Sequence, residues 1–323
     1  MKHNAILTLT AALACGVLAL GACSSGDQPS GGDGTAGGKV PDKIEKIGLM
    51  VQDMSNPFFA AMEKGAKDAA AKAGATVNTQ DAQLDLANQN NQIDAFIQQG
   101  VNLIVISAVD ENGIEPAIAR AKAAGVIVIA VDTPAKGADA VVMTDAVQAG
   151  ERSCTYLFDQ LGGKGNILIV DGTPIQTIRD RITGCNNVKA KYPDIKIVGQ
   201  QASKNDRASG LAVTTDMLTA NPDVQGIFGM NDPSALGAVL AVDQAKRTNI
   251  KVTGVDGSPE AVAELQRAGS PFIGSATQNP AEMVRRAVTV AQDIVAGKAP
   301  TEKTILIESV LVTRDNVGQY AGW

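Results

Sequence analysis

From residue 46 onward, short uninterrupted apolar runs alternate with longer helix-patterned stretches. A strand with one wet face alternates apolar and polar residues, whereas a continuous apolar run is covered on both faces. Such runs occur at residues 47–51, 103–106 and 126–131, with a weaker strand at 75–78. Helical stretches are predicted at 57–73, 84–99 and 114–124, and Gly74, Gly100 and Gly125 stand where a left-handed stop is needed. The theme then restarts, with strands at 166–170, 195–198, 224–228 and 252–255 and helices at 178–191, 207–220 and 234–245. The reading is α/β: two similar lobes, each a doubly wound parallel sheet. A length of 323 residues suits two such units.

The first 45 residues belong to neither unit. Lys2 and His3 precede an apolar run over residues 5–20, a secretory pattern that falls short of the roughly 20 residues a membrane span needs. The run ends in Leu20-Gly21-Ala22-Cys23, which resembles the bacterial lipobox. Residues 1–22 are therefore read as a lipoprotein signal peptide and Cys23 as the lipidated first residue; the other reading is a plain signal peptide with a chance cysteine. Residues 24–38 hold no large apolar side chain and cannot offset their ordering entropy, so 23–45 is assigned as lipidated cysteine and tether. Residues 32–37 match G-x-G-x-x-G, but no strand precedes them and no helix follows. The expected location is exported: lipid-anchored on the outer face of the cytoplasmic membrane, or in the periplasm.

His3 is the single histidine. Its removal with the signal excludes Ser-His-Asp chemistry, His-ligated zinc and a histidine base. No metal or cofactor is called for. The formal net charge of −6 argues against nucleic-acid binding through phosphate neutralisation. Of four cysteines, Cys154 and Cys185 remain in an exported body where oxidation is permitted. They are read either as a disulfide between helices flanking one strand or as two small buried residues.

In open parallel sheets, ligands lie beyond the carboxyl ends of the strands. Asn56, Phe58 and Phe59 follow the first strand, and Asp132 and Thr133 follow the run 126–131. Arg181 follows 166–170, Asn231 follows 224–228, Asp256 follows 252–255, and Gln278 follows 272–276. Carboxylates accept hydroxyl protons, arginine donates, and amides do both. Only 3% of residues are aromatic, so two adjacent phenylalanines at a strand end stand out as apolar faces for a sugar ring. Taken singly, Asn56 and Asp132 also read as helix caps or turn residues, and the phenylalanines as core.

The ordered set Ser55-Asn56-Pro57-Phe58-Phe59, Val131-Asp132, Arg181-x-x-Gly184, Asn231-Asp232-x-x-Ala235-Leu236-Gly237, Gly254-x-Asp256-Gly257 and Thr277-Gln278 resembles the ribose-binding-protein type of periplasmic sugar-binding proteins. These are type I proteins sharing their fold with the ligand domains of LacI-type repressors. The resemblance runs from about residue 46 to the end. It implies a three-crossing hinge near 144–146, 278 and 306–308, hence a first lobe of 46–144 plus 279–306 and a second of 145–278 plus 307–323. It also implies that Asn56, Phe58, Asp132, Arg181, Asn231, Asp256 and Gln278 contact the ligand, with Phe59 a second ring on the same lobe. The chain departs from the family at two ligand positions: Thr133 stands where arginine is common, and Asn205 where ribose binders present an aromatic ring.

The resemblance implies a solute-binding component of an ABC importer, monomeric, closing on a small neutral sugar or polyol and presenting it to permease subunits, with no chemistry on the ligand. The departures at Thr133 and Asn205 admit a sugar alcohol or cyclitol beside ordinary pentoses and hexoses. The same clamp also serves a receptor subunit for a sensor kinase or chemoreceptor. A carbohydrate-active enzyme using Asp132 and Asp256 as paired carboxylates is a further reading. A repressor would need a helix-turn-helix where this chain has a signal and tether.

Overall fold

The computed structural model describes residues 38–320 and 322–323. The signal peptide, Cys23 and the tether up to residue 37 lie outside the described residues. The chain forms two six-stranded sheets. The first contains β1 (Lys46–Val51), β2 (Thr76–Asp81), β3 (Leu103–Ile106), β4 (Ile127–Val131), β5 (Ala140–Thr144) and β11 (Thr304–Ile307), in the order β11-β5-β4-β3-β1-β2, all pairs parallel. The second contains β6 (Gly165–Asp171), β7 (Ile195–Ala202), β8 (Gly226–Gly229), β9 (Lys251–Asp256), β10 (Phe272–Thr277) and β12 (Leu311–Thr313), in the order β12-β10-β9-β8-β6-β7. Only β12 runs antiparallel. Both sheets place their first strand between their second and third, the doubly wound order whose switch point opens a crevice at the strand ends.

Each face of each sheet carries its own core. Ile47, Leu49 and Val51 of β1 pack on α1 (Pro57–Ala73) and α9 (Pro280–Val295), while Met50 faces α2 (Leu86–Gln98) and α3 (Glu115–Ala123). Gly48 interrupts β1 because a Cβ there would meet the Phe96 ring at 2.6 Å. In the second sheet, Leu168 and Val170 face α6 (Arg207–Ala220), α7 (Asp232–Gln244) and α8 (Pro259–Gln266), and Ile167 and Ile169 face α4 (Ala146–Gln160) and α5 (Gln176–Lys189).

The recognised strands include the central ones, buried on both faces, and the edge strands β2 and β7 in shortened form. Missed were β5, which follows β4 without an intervening helix, and β11, whose residues alternate in exposure as an edge strand does. The antiparallel β12 and the helices α8 and α9 also lay beyond the repeating pattern. The tether assignment runs too far at its C-terminal end: the amide of Gly38 donates to the Lys122 carbonyl at 3.1 Å, and Ile44 joins the first lobe's core.

The chain passes between sheets three times. β5 ends at Thr144 and leads into α4, which packs on β9 and β10. β10 ends at Thr277 and leads into α9, which packs on α1 and β5. The last passage lies between Ile307 and Leu311, slightly after the expected position. Trp323 packs back on the first lobe's core, so the segment after 307 does not belong to the second lobe alone.

A disulfide joins Cys154 on α4 to Cys185 on α5, with Cα atoms 5.2 Å apart. The same helices meet backbone to backbone at Gly150 and Gly184, where a Cβ would strike the Arg181 and Val147 carbonyls. The Gly184 of the Arg181-x-x-Gly184 pattern thus serves helix packing, and the close crossing sets where Arg181 stands one turn earlier. Replacing both cysteines by alanine is expected to lower stability by about 2–4 kcal/mol, read as a lower urea midpoint of the soluble body. An unchanged midpoint would show that the bond contributes nothing.

Candidate functional site

A cavity of about 610 Å³ lies where the carboxyl ends of the two sheets face each other. It falls within the usual size range of small-molecule sites. Asn56, Phe58, Phe59 and Asp132 line it from the first lobe, Arg181, Asn205, Asn231 and Asp256 from the second, and Gln278 from the crossing after β10. Of the ten positions singled out from sequence, Thr133 alone is absent from its wall.

On the first lobe, Asn56 caps α1, its Oδ1 accepting from the Phe58 amide at 3.0 Å. Capping and lining coexist, because the helix N-terminus itself points at the cavity. The Phe58 and Phe59 rings meet edge to face at 5.3 Å. Both belong to the lobe's core and both reach the cavity, so the core and wall readings hold together. Asp132 sits at φ 63°, in the left-handed region. Its Oδ2 accepts from Ser107 Oγ at 3.4 Å and Thr133 Oγ1 at 3.3 Å. Thr133 is fully buried and accepts in turn from Gln52 Nε2 at 3.0 Å. It therefore stands behind the carboxylate and orients it. Its short side chain satisfies two neighbours and has no length left to reach the cavity.

On the second lobe, Arg181 Nη1 donates to the Met230 carbonyl at 2.9 Å and lies 3.3 Å from Asp256 Oδ1. Gln278 Nε2 donates to the same Oδ1 at 2.8 Å, and the Asp232 amide donates to Asp256 Oδ2 at 3.2 Å. Asn231 caps α7 through Oδ1 and donates from Nδ2 to the Asn205 carbonyl at 3.0 Å. Asn205 is tied to Thr173 twice, accepting from its amide at 3.0 Å and donating to its hydroxyl at 2.7 Å. It thus closes one loop on another and presents an amide edge to the cavity instead of a ring. Asp256 and Asn205 also lie at positive φ, 143° and 66°. Asparagine tolerates this region, whereas aspartate at 143° is strained.

Asp132 and Asp256 flank one buried guanidinium, and Asp232, which does not line the cavity, lies behind Asp256. Burial pushes the Asp132 carboxyl up to about 6, and the Arg181 charge opposes that rise. Burial also raises Asp256, again against Arg181. Asp232 is raised by burial and by the neighbouring Asp256 charge, although Ser275 Oγ and the Ser258 amide donate to it at 2.6 and 2.7 Å. Among the described residues, two buried polar atoms of the wall have no hydrogen-bond partner: Arg181 Nε and Gln278 Oε1.

The lobes touch across the cavity. Thr177 Oγ1 of α5 donates to the Asp132 carbonyl at 2.7 Å. Glu111 of the first lobe accepts from the Gln176 amide and lies 3.3 Å from Arg179. Sequence reasoning missed Thr177, Gln52 and Trp323. Gln52 directly follows β1, so the strand-end rule reached it without weighting it. Thr177 and Trp323 carry no local signal.

Residues 47–299 match the periplasmic binding protein domain family. The ribose import binding protein RbsB of Bacillus subtilis is 33% identical over 262 residues, covering 80% of this chain and 84% of that protein. The xylitol-binding protein of Mycolicibacterium smegmatis is 30% identical over 322 residues, 97% of this chain and 88% of that one. The solved structure of an ABC transporter periplasmic solute binding protein from Actinobacillus succinogenes with bound D-allose superposes with a TM-score of 0.81 at 28% identity, covering 85% of this chain and all of that one. With its two doubly wound lobes, three passages between them and a polar crevice at the strand ends, the chain belongs to the periplasmic binding protein family, type I class.

Proposed function

We propose that the protein is the extracytoplasmic solute-binding lipoprotein of an ABC importer, anchored through Cys23, which takes a neutral monosaccharide, sugar alcohol or cyclitol into the cleft and presents it to the permease. One observation carries this reading: Asp132 on one lobe faces Arg181, Asp256 and Gln278 on the other across one cavity. A polyhydroxylated molecule supplies what this wall lacks, hydroxyl donors for the carboxylates and acceptors for the guanidinium. The relatives' ligands, ribose, xylitol and allose, are of that kind.

Closure follows from where the groups stand. Hydrogen bonds to both walls exist together only when the lobes meet, so bound ligand favours the closed arrangement by its differential affinity. Chemistry on the ligand is no part of this reading. Thr133 and Asn205 bear on which ligand is taken. The first sits behind Asp132, so the wall has no second cation there. The second offers an amide where ribose binders carry a ring. Both remove contacts that the resemblance assigns to ribose binding and favour an open-chain or cyclic polyol.

A thermal-shift screen of residues 39–323 against pentoses, hexoses, pentitols and inositols tests the reading. A ligand at a hundredfold excess over Kd is expected to stabilise the body by about 2.7 kcal/mol, with pentitols or inositols shifting the midpoint more than ribose. No shift with any of them would overturn the ligand class. In the Asp256→Ala variant, Arg181 loses its buried counter-ion, and binding of the same ligand is expected to weaken by about 2–5 kcal/mol; unchanged affinity would remove Asp256 from the site.

Protonation adds a test with two opposite signs. The Asp132 carboxyl is raised in the folded ligand-free state, so the folded state binds more protons than the unfolded chain between about pH 4 and 6. This contribution to stability is full below the unfolded value and is lost as pH rises through about 6. Ligand hydroxyls donate to the ionised carboxylate, so binding releases protons and affinity should rise with pH across the same window, by at most about tenfold per unit for each group. Calorimetry in buffers of different ionisation enthalpy would show the release. Proton uptake would contradict it.

A further inference from the structure

Trp323 is the single tryptophan of the sequence, and it stands in the cavity wall. Its ring meets Phe58 edge to face at 5.8 Å and packs on the first lobe's core. Its Nε1–H donates to the main-chain carbonyl of Asp256, on the second lobe, at 2.8 Å. Three residues earlier, the Tyr320 hydroxyl donates to the next carbonyl, that of Gly257, at 2.9 Å. Burial raises the Tyr320 phenol above its ordinary value, which keeps it a donor.

These two carbonyls belong to the turn that carries Asp256 at φ 143° and Gly257 at φ 69°. A non-glycine residue at such a φ persists only where its surroundings over-determine it. Here the Asp256 carbonyl also accepts from the Gln278 amide at 2.7 Å, and the Gly257 amide donates to Ser275 Oγ at 2.9 Å. Two of the four bonds that fix this turn therefore come from the segment after β12, a part of the chain remote in sequence from every strand end that faces the cavity.

We propose that Tyr320 and Trp323 are a working part of the binding site. Tyr320 and Trp323 are positioning residues that hold the Asp256–Gly257 turn in its strained form, so that the Asp256 carboxylate faces Arg181 and the cavity. Trp323 is also a third aromatic surface beside Phe58, set to lie against an apolar face of the ligand. Because it touches a wall of each lobe, its contacts couple the seating of Phe58 to that of Asp256. The ligand-facing part of this proposal rests on the sugar or polyol reading above.

The experiment uses the soluble body, residues 39–323, and two readouts. Emission of the single tryptophan in ligand-free protein reports whether the ring is seated: blue-shifted emission shielded from acrylamide is expected, and solvent-like, freely quenched emission overturns the proposal. Binding of D-ribose, D-allose, xylitol and myo-inositol is then measured for wild type, Trp323→Phe, Tyr320→Phe, Asp256→Asn and the two double variants. Loss of one donor is expected to weaken the best-bound probe by about five- to tenfold in the wild-type background and by less than twofold in Asp256→Asn, because the turn then has no carboxylate to aim. Equal losses in both backgrounds would make the two residues merely structural and overturn the positioning role. Failure of all four probes to bind wild type would overturn the ligand reading, and tryptophan emission would still decide the seating of the segment.

Discussion

The Arg181–Asp256 contact is the interaction on which the cleft depends. A guanidinium buried at a sheet edge is tolerable only with a counter-charge and several hydrogen bonds. This one has the Asp256 carboxylate at 3.3 Å and the Met230 carbonyl at 2.9 Å. Asp256 in turn draws on Gln278 and the Asp232 amide. The position of Arg181 is set by the close crossing of α4 and α5 at Gly150 and Gly184 and by the disulfide between the same helices. Features far from the cavity thus decide where its one buried cation stands.

The protein keeps more buried carboxylate than it can balance. Asp132 and Asp256 flank Arg181, Asp232 lies behind Asp256, and burial raises all three. In a structural ion pair this would be a cost without return. In the proposed sugar or polyol cleft, the acceptor capacity of Asp132 and Asp256 would be the source of affinity, because each hydroxyl bond would relieve desolvation already incurred on folding. The positive φ values of Asp132, Asn205 and Asp256 belong to the same economy of the site, since strain gathers where side-chain direction matters more than backbone comfort.

Much of the fold was legible because its central strands are buried on both faces. Residues 47–51, 103–106 and 167–170 are apolar without interruption, and a doubly wound sheet is the common way to cover such strands. Edge strands β2 and β7 turn polar toward their carboxyl ends, and the sequence reading placed them shorter than they are. The site was legible at strand ends for the same topological reason. Thr133 was misplaced because chain position puts it beside Asp132, whereas the left-handed φ of Asp132 turns the next side chain inward. Trp323 was invisible because its place depends on the last passage between sheets, which no local pattern records. Asp256 and Gly257 offer no hint in sequence that Tyr320 and Trp323 bond their carbonyls.

The central claim is that one small hydroxylated molecule bridges the two lobes. A crystal structure of the soluble body grown with the polyol that stabilises it most would test this directly. The account predicts ligand hydroxyls bonded to the Asp132 carboxylate on one side and to Arg181, Asp256 and Gln278 on the other, with a carbon face against Phe58. Ligand held by one lobe alone, or bound outside this cleft, would contradict it.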